Sequence, residues 1–212
     1  MHHLIGMLDS PYVRRVAVSL QLLALPFEHR SISVFRGVPA FEAINPVVKA
    51  PTLVCDDGTV LMDSTLILDY AEALAAPRRS LMPADVPARR HALRVLGLAL
   101  AACEKCVQIV YEHGVRPAEK LHQPWVDRVT RQLLTACDLL EAELACQPLA
   151  VTRETIDQAG ATTAVVWTFI QAVRPGIVPA SAYPLLQAHT RAAEQLPEFV
   201  AAPHGEGVYR AA

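Results

Sequence analysis

The sequence predicts two structural classes joined in one chain: a mixed α/β unit of order β-α-β-α-β-β-α over residues 1–77, and an all-helical unit over residues 88–212. Three observations predict this. In the first part short apolar runs alternate with helix-start signals. Beyond residue 88 the apolar period settles to threes and fours, the signature of helix alone. Between them, residues 78–87 hold Pro83, Pro87 and the polar Arg78-Arg79-Ser80, and read as a linker. A chain of 212 residues buries roughly 70% of its unfolded surface. A substantial core is therefore feasible without disulfide support.

The elements follow in order. Residues 4–8 form a short apolar run. Asp9-Ser10-Pro11 is a helix-start signal, with Ser at the N-cap and Pro at the first helical position. Val13, Val16, Ala17, Leu20 and Ala24 then share one face, which turns Arg14, Arg15 and Gln21 toward solvent or a subunit contact; Pro26 ends the helix. Residues 27–34 alternate like a strand, and residues 37–44 suit a short helix closed by Asn45-Pro46. The runs at 51–56 and 59–62 flank Asp57-Gly58, which predicts a type I′ hairpin. Asp63-Ser64 opens a helix whose inner face would be Leu66, Ile67, Tyr70, Ala71 and Leu74.

In the second part, Leu93, Leu96, Leu100, Cys103, Val107 and Tyr111 mark one long helix. Val126, Val129, Leu133, Ala136, Leu140 and Leu144 mark a second, antiparallel to it. Two further helices are expected at 157–173 and 183–195.

Composition narrows the function. With 19 Lys+Arg against 21 Asp+Glu, the net charge is -2 and no basic run appears, which argues against a nucleic-acid partner. The longest strongly apolar stretch, residues 95–103, is about half the roughly 20 residues of a membrane helix, so no membrane association is expected. The start, His2-His3-Leu4-Ile5, lacks the features of a secretory signal, and a cytoplasmic location is expected. Five cysteines at irregular spacing fit buried thiols better than a disulfide framework. Cys103 and Cys106 form a Cys-x-x-Cys inside a helical pattern, with no second pair to make a zinc site; no metal site is expected from the eight His.

Three segments carry a family resemblance: Leu8-Asp9-Ser10-Pro11-Tyr12-Val13-Arg14-Arg15-Val16, Asn45-Pro46-Val47-Val48-Lys49-Ala50-Pro51-Thr52-Leu53, and Met62-Asp63-Ser64-Thr65-Leu66-Ile67. In order and spacing they resemble the glutathione-site segments of cytosolic glutathione transferases of the bacterial, serine-type kind. The resemblance implies a thioredoxin-like N-terminal domain, an all-helical C-terminal domain, a homodimer, and glutathione as co-substrate with no metal.

By position alone Ser10 is an N-cap. The resemblance implies a catalytic role, its hydroxyl stabilising glutathione's thiolate at a helix N-terminus that itself favours an anion. Pro51 alone reads as a strand opener. The resemblance implies a cis Ala50–Pro51 bond, with the Ala50 backbone pairing the cysteinyl part of glutathione. Lys49, otherwise a surface lysine, would approach the tripeptide's carboxylate. Ser64, otherwise a helix cap beside Asp63, would receive the γ-glutamyl carboxylate, and Asp63 its ammonium. A hydrophobic substrate pocket is expected between the two units, lined by Leu8, Tyr12, Val107 and Tyr111, all of which also suit core positions.

Two departures from the family pattern stand out. Val48 occupies a position where relatives often have Gly, which would restrict the loop around the tripeptide. Gly160 stands where relatives carry the Asp that completes a capping box after position 157, which predicts a less rigid helix start. The leading expectation is conjugation of glutathione to a small hydrophobic electrophile. The alternatives are a non-catalytic glutathione or apolar-ligand carrier, and a glutathione-dependent reductase or isomerase. The reductase is disfavoured because the first helix begins with Ser10 where a redox enzyme places Cys.

Overall fold

The computed structural model describes residues 1–209. Its elements are β1 (His2–Ile5), α1 (Pro11–Leu22), β2 (Phe27–Arg30), α2 (Val38–Glu42), β3 (Thr52–Val54), β4 (Val60–Met62), α3 (Ser64–Ala75), α4 (Val86–Gly114), α5 (Gln123–Cys146), α6 (Gln158–Val173), α7 (Pro184–Ala193) and α8 (Pro197–Val200). The chain divides into two compact units: residues up to Met82 together with the chain from Glu194 onward, and Pro83–Ala193.

In the first unit the strand order is β2-β1-β3-β4. β1 runs parallel to β2, with Leu4 opposite His29, and antiparallel to β3, with Leu4 opposite Leu53. The parallel pair needs a crossover, which α1 supplies. Leu4, Ile5 and Leu53 of the sheet, Val13, Val16, Ala17 and Leu20 of α1, and Ile67, Leu68 and Ala71 of α3 are buried and make up the core of the unit, with Leu4 and Ile5 on opposite faces of the sheet. α1 ends where Ala24 turns left-handed (φ 57°), with Leu25 N–H reaching back to the Leu20 carbonyl at 2.9 Å. This is the six-to-one closure of a Schellman end, made with Ala in place of the usual Gly.

Several local expectations are corrected. The β3–β4 hairpin is not type I′: of Asp57 and Gly58, only Gly58 has a positive φ (87°). Gly58 N–H bonds the Cys55 carbonyl at 3.0 Å, and Cys55 N–H bonds the Thr59 carbonyl at 2.8 Å. That is a three-residue loop closed by a left-handed glycine. In α3 the inner face is Ile67, Leu68, Ala71 and Ala75, while Leu66 is 65% exposed. In α4 it is Ala92, Val95, Leu96, Ala99, Ala102, Cys103, Cys106 and Ile109; Leu93 and Tyr111 face outward. Large apolar residues mark a neighbouring stripe on α4, but the alanines allow α5 and α6 to approach closely, and packing selects the small face.

The largest correction concerns Arg14 and Arg15, expected on a polar face. Both are buried in α1. Arg14 makes a two-pronged pair with Glu194 at 2.6 Å on each arm, donates from Nε to the Ala202 carbonyl at 2.8 Å, and lies over the Phe199 ring at 5.7 Å. Gln21 Nε2 donates to the Glu198 carbonyl. These bonds explain why the chain from Glu194 onward, expected with the helical unit, packs with the sheet. A buried guanidinium requires a partner, and the C-terminal segment brings it.

The second unit is built on α6, where nearly every residue from Gln158 to Ile170 is buried. α5 keeps the expected stripe, Val126, Val129, Leu133, Ala136, Leu140 and Leu144, with Cys137 added. Asp157 caps α6 by accepting from Gly160 N–H at 2.8 Å. The missing capping-box carboxylate has a packing reason: a Cβ on Gly160 would come within 3.3 Å of Ile156 Cγ1, and the buried His189 bonds the Gly160 carbonyl at 2.9 Å. Both carboxylate oxygens of Glu141 accept the first amides of α7, from Leu185 and Leu186. Among the described residues no helix is long and apolar enough to cross a membrane.

Candidate functional site

Ser10 is the N-cap of α1, in extended conformation (φ -72°, ψ 119°). Its carbonyl accepts from Arg14 N–H at 2.9 Å, and its Oγ accepts from Val13 N–H at 3.4 Å, a long bond. A hydroxyl that accepts one bond keeps a proton to donate, so Ser10 can cap its helix and stabilise an anion at the same time. Ser10 itself is half-buried. Next to it, burial raises the Asp9 carboxyl above the ordinary carboxylate range; the Ser10 backbone bond and His204 pull the other way.

Gly6 joins this helix start to the second segment. Its φ is 133°, and a Cβ there would lie 2.6 Å from Val13 Cγ2 and 3.1 Å from Ala50 Cβ. Only glycine permits that approach, and it brings the first turn of α1 against the residue before Pro51. The Ala50–Pro51 bond is cis. The loop before it is tied down locally: Val48 N–H bonds the Asn45 carbonyl, Asn45 Nδ2 donates to Thr52 Oγ1, and Thr52 Oγ1 donates to the Lys49 carbonyl, the last two at 2.8 Å. Val48 sits at φ 52°. A β-branched residue in left-handed conformation is strained, which is the physical consequence of Val where relatives often carry Gly.

The third segment opens α3. Asp63, not Ser64, is the N-cap; its carboxylate accepts from Thr65 N–H at 2.9 Å, and its own backbone is unusual (φ 72°, ψ 122°). Lys49 Nζ lies 3.7 Å from the Asp63 carboxylate, so the loop cation and the cap acid form a direct ion pair, both about half exposed. Ser64 is buried, and its Oγ accepts from Arg15 at 3.1 Å; Thr65 Oγ1 accepts from the same nitrogen at 3.2 Å. Arg15 thus places a buried positive charge behind the Ser64 hydroxyl and links α1 to α3. Sequence reasoning assigned it to solvent or a subunit contact. The available signal was the second of two adjacent arginines in an otherwise apolar helix.

Ser10, Ala50, Pro51, Lys49, Asp63 and Ser64 therefore belong to one cluster of loops and helix starts in the first unit. The expected hydrophobic-pocket residues are divided between the two units. Leu8 is fully buried. Tyr12 is partly exposed in α1, while Val107, half-buried, and Tyr111, 46% exposed, lie on α4 of the second unit. Cys103 and Cys106 are buried in α4, and burial pushes the Cys106 and Cys137 thiols up to about 12. Thiols so displaced are unreactive at neutral pH. Cys146 is exposed at the end of α5.

Comparisons with known proteins show what this fold is similar to. The family model for the glutathione S-transferase N-terminal domain matches residues 4–79. A glutathione transferase family member from Pseudomonas fluorescens Pf-5, solved with bound glutathione, is 28% identical and superposes with a TM-score of 0.78, covering 95% of this chain and 98% of that one. A glutathione S-transferase from Methylobacterium radiotolerans, in complex with glutathione sulfonate, shares the fold at 23% identity, with a TM-score of 0.86 over 100% of this chain and 99% of that one. In sequence, the chain is 25% identical over 174 residues to the uncharacterized GST-like protein YibF of Escherichia coli (strain K12), which is 82% of this chain and 85% of that protein. Residues 4–79 thus match the glutathione S-transferase N-terminal domain, and the chain as a whole is similar in fold to solved glutathione transferases.

Proposed function

We propose that the first unit binds glutathione and that the protein conjugates the glutathione thiolate to small hydrophobic electrophiles, a detoxifying reaction carried out in the cytoplasm by a homodimer. The observation that carries this reading is the convergence of three different recognition groups in one cluster. The hydroxyl of Ser10 stands at the N-terminus of α1, the backbone of Ala50 stands against it across Gly6, and Ser64, backed by the Arg15 charge, stands at the start of α3. They match the tripeptide in sequence: thiol, cysteinyl main chain, γ-glutamyl carboxylate. Asp63 would meet the ammonium of the γ-glutamyl end, and Lys49 the carboxylate at the other end, which requires their mutual 3.7 Å ion pair to open.

Magnitudes show what Ser10 contributes. A thiol of pKa about 8.5 is roughly 3% ionised at pH 7; lowering it by about two units ionises roughly 75%, at about 2.7 kcal/mol. The less basic thiolate is a weaker nucleophile, and a Brønsted slope of about 0.4–0.5 offsets roughly eightfold of the gain. Holding thiolate and electrophile in contact supplies the remainder.

Calorimetry with glutathione and a conjugation assay with a generic aryl halide, run on wild type and Ser10→Ala, test the reading. Saturable binding at millimolar glutathione or below is expected, with kcat falling about 100-fold in Ser10→Ala, as for loss of a transition-state hydrogen-bond donor. Absence of saturable binding would remove the proposal. Binding without turnover in the wild type would favour a carrier, and unchanged activity in Ser10→Ala would take the hydroxyl out of the mechanism.

A further inference from the structure

The loop of residues 6–10, which carries Ser10, is held at both ends by imidazoles. At its start, His29 Nε2 bonds the Gly6 carbonyl at 2.6 Å. At its end, the His204 ring lies against the Asp9 backbone, which favours the protonated ring. Both histidines connect to residues 202–209, which lie as a strap across the first unit. Ala202 is held by Arg14, and the Glu206 carbonyl accepts from Ser31 Oγ at 3.1 Å while the Glu206 carboxylate pairs with Arg36. Tyr209 stacks on Phe27 with ring centroids 4.5 Å apart, and its N–H donates to His29 Nδ1 at 3.0 Å.

The last bond assigns the tautomer. A backbone N–H only donates, so His29 Nδ1 is unprotonated, and Nε2 carries the proton that goes to Gly6. A second proton on Nδ1 would set two N–H groups against each other and break the tie to Tyr209. We propose that His29 and His204 are positioning residues for Ser10: with the C-terminal strap they clamp the loop of residues 6–10 at both ends, and acid loosens the His29 end by breaking its tie to Tyr209. This rests on the thiolate role proposed for Ser10.

The surroundings of the two rings fit the proposal. Burial is the main influence on His29, opposed by the Gly6 carbonyl, and it holds the ring below its ordinary range. The strands beside it carry the His3–Glu28 pair, and the strap carries Glu206 paired with Arg36. His204 is also held low, first by burial and then by Arg14, with Asp9 and Glu194 opposing. His29 is therefore neutral at pH 7, and its tie to Tyr209 is lost as pH falls below about 6.5 toward its lowered value, whereas the Asp9 backbone favours the protonated His204 ring and keeps that end in place.

The test uses the full-length chain with His204→Ala, His204→Gln and His29→Phe. In amide NMR spectra without glutathione, the Asp9 and Ser10 resonances are expected to shift in His204→Ala and to return largely to wild-type positions in His204→Gln. In the wild type, the Tyr209 and Gly6 resonances are expected to move together on acidification, with one midpoint shared with the His29 ring, and that step is expected to disappear in His29→Phe. With glutathione and an aryl halide, kcat of His204→Ala is expected to fall about tenfold while the glutathione KM stays within about threefold, because misplacing Ser10 harms the reacting geometry more than tripeptide binding. The acid limb of the kcat profile should move with it. Unmoved Asp9 and Ser10 resonances in His204→Ala, or His29 titrating without Tyr209, would overturn the clamp. Failure of wild type to bind glutathione would instead overturn the thiolate reading, leaving the ligand-free spectra to judge the clamp.

Discussion

The two units bury different chemistry. In the second, α6 is surrounded on most sides, and its interior is made largely of Ala, Val, Thr, Ile, Phe and Trp packed against α4 and α7. In the first, the central helix α1 buries two arginines, and the polar network runs from Ser64 through Arg15 and from Arg14 out to Glu194 and Ala202. The first unit also holds Val48 and Asp63 at positive φ, both beside the candidate site. The contrast teaches that the helical unit keeps its interior mostly apolar, with Glu112 and His189 as buried exceptions, while the sheet unit accepts buried guanidinium charge and backbone strain where it presents groups for recognition.

The sharpest tests change one unit and leave the other as control. Leu133→Ala in α5, fully buried, is expected to cost about 4 kcal/mol through lost burial and a cavity, with little dependence on salt. Denaturant unfolding followed in low and high salt checks it. In the first unit, Glu194→Ala leaves the Arg14 guanidinium buried without its carboxylate and is expected to cost about 3 kcal/mol, with Glu194→Gln milder. A cost near zero would mean that the first-unit core does not depend on its charges, and the contrast would fail.

Acid supplies a smaller effect on which the units should agree in direction. His29 and His204 in the first unit and His189 in the second are all held below their ordinary range, by burial first. Each binds fewer protons folded than unfolded, so stability is complete above about pH 6.5 and declines as pH falls toward the lowered values. His189→Gln should flatten the second unit's share of that decline, read as melting temperature against pH. The smallest change sharpens the strain argument: Val48→Gly relieves a left-handed β-branched residue but adds chain entropy, for a net gain of about 0.5–1 kcal/mol. Val48→Ala should gain less.

Legibility followed the range of the interaction. The start of α1 at Ser10-Pro11 and the α5 stripe could be read locally because cap chemistry and a single helical face are short-range properties. The hairpin could be located but not typed, since Asp57-Gly58 fits a two-residue or a three-residue loop and the flanking pairing decides. On α4, two adjacent faces were both apolar enough, and the large side chains pointed to the outer one. At the site, the three segments could be found one by one through their resemblance to a family. Arg15 behind Ser64, and the two histidines against Gly6 and Asp9, could not, because each acts on a residue many positions away.

What the sequence by itself determined is the order of elements and the chemistry available at the candidate site: a hydroxyl before a helix, a proline before a strand, an Asp-Ser pair at another helix start. These depend on backbone preferences within a few residues. Only the tertiary structure decided that both arginines of α1 turn inward and that the C-terminal segment crosses back to the sheet unit. A buried cation is tolerable only where a distant carboxylate and carbonyls converge on it, and that convergence exists only once the chain has folded.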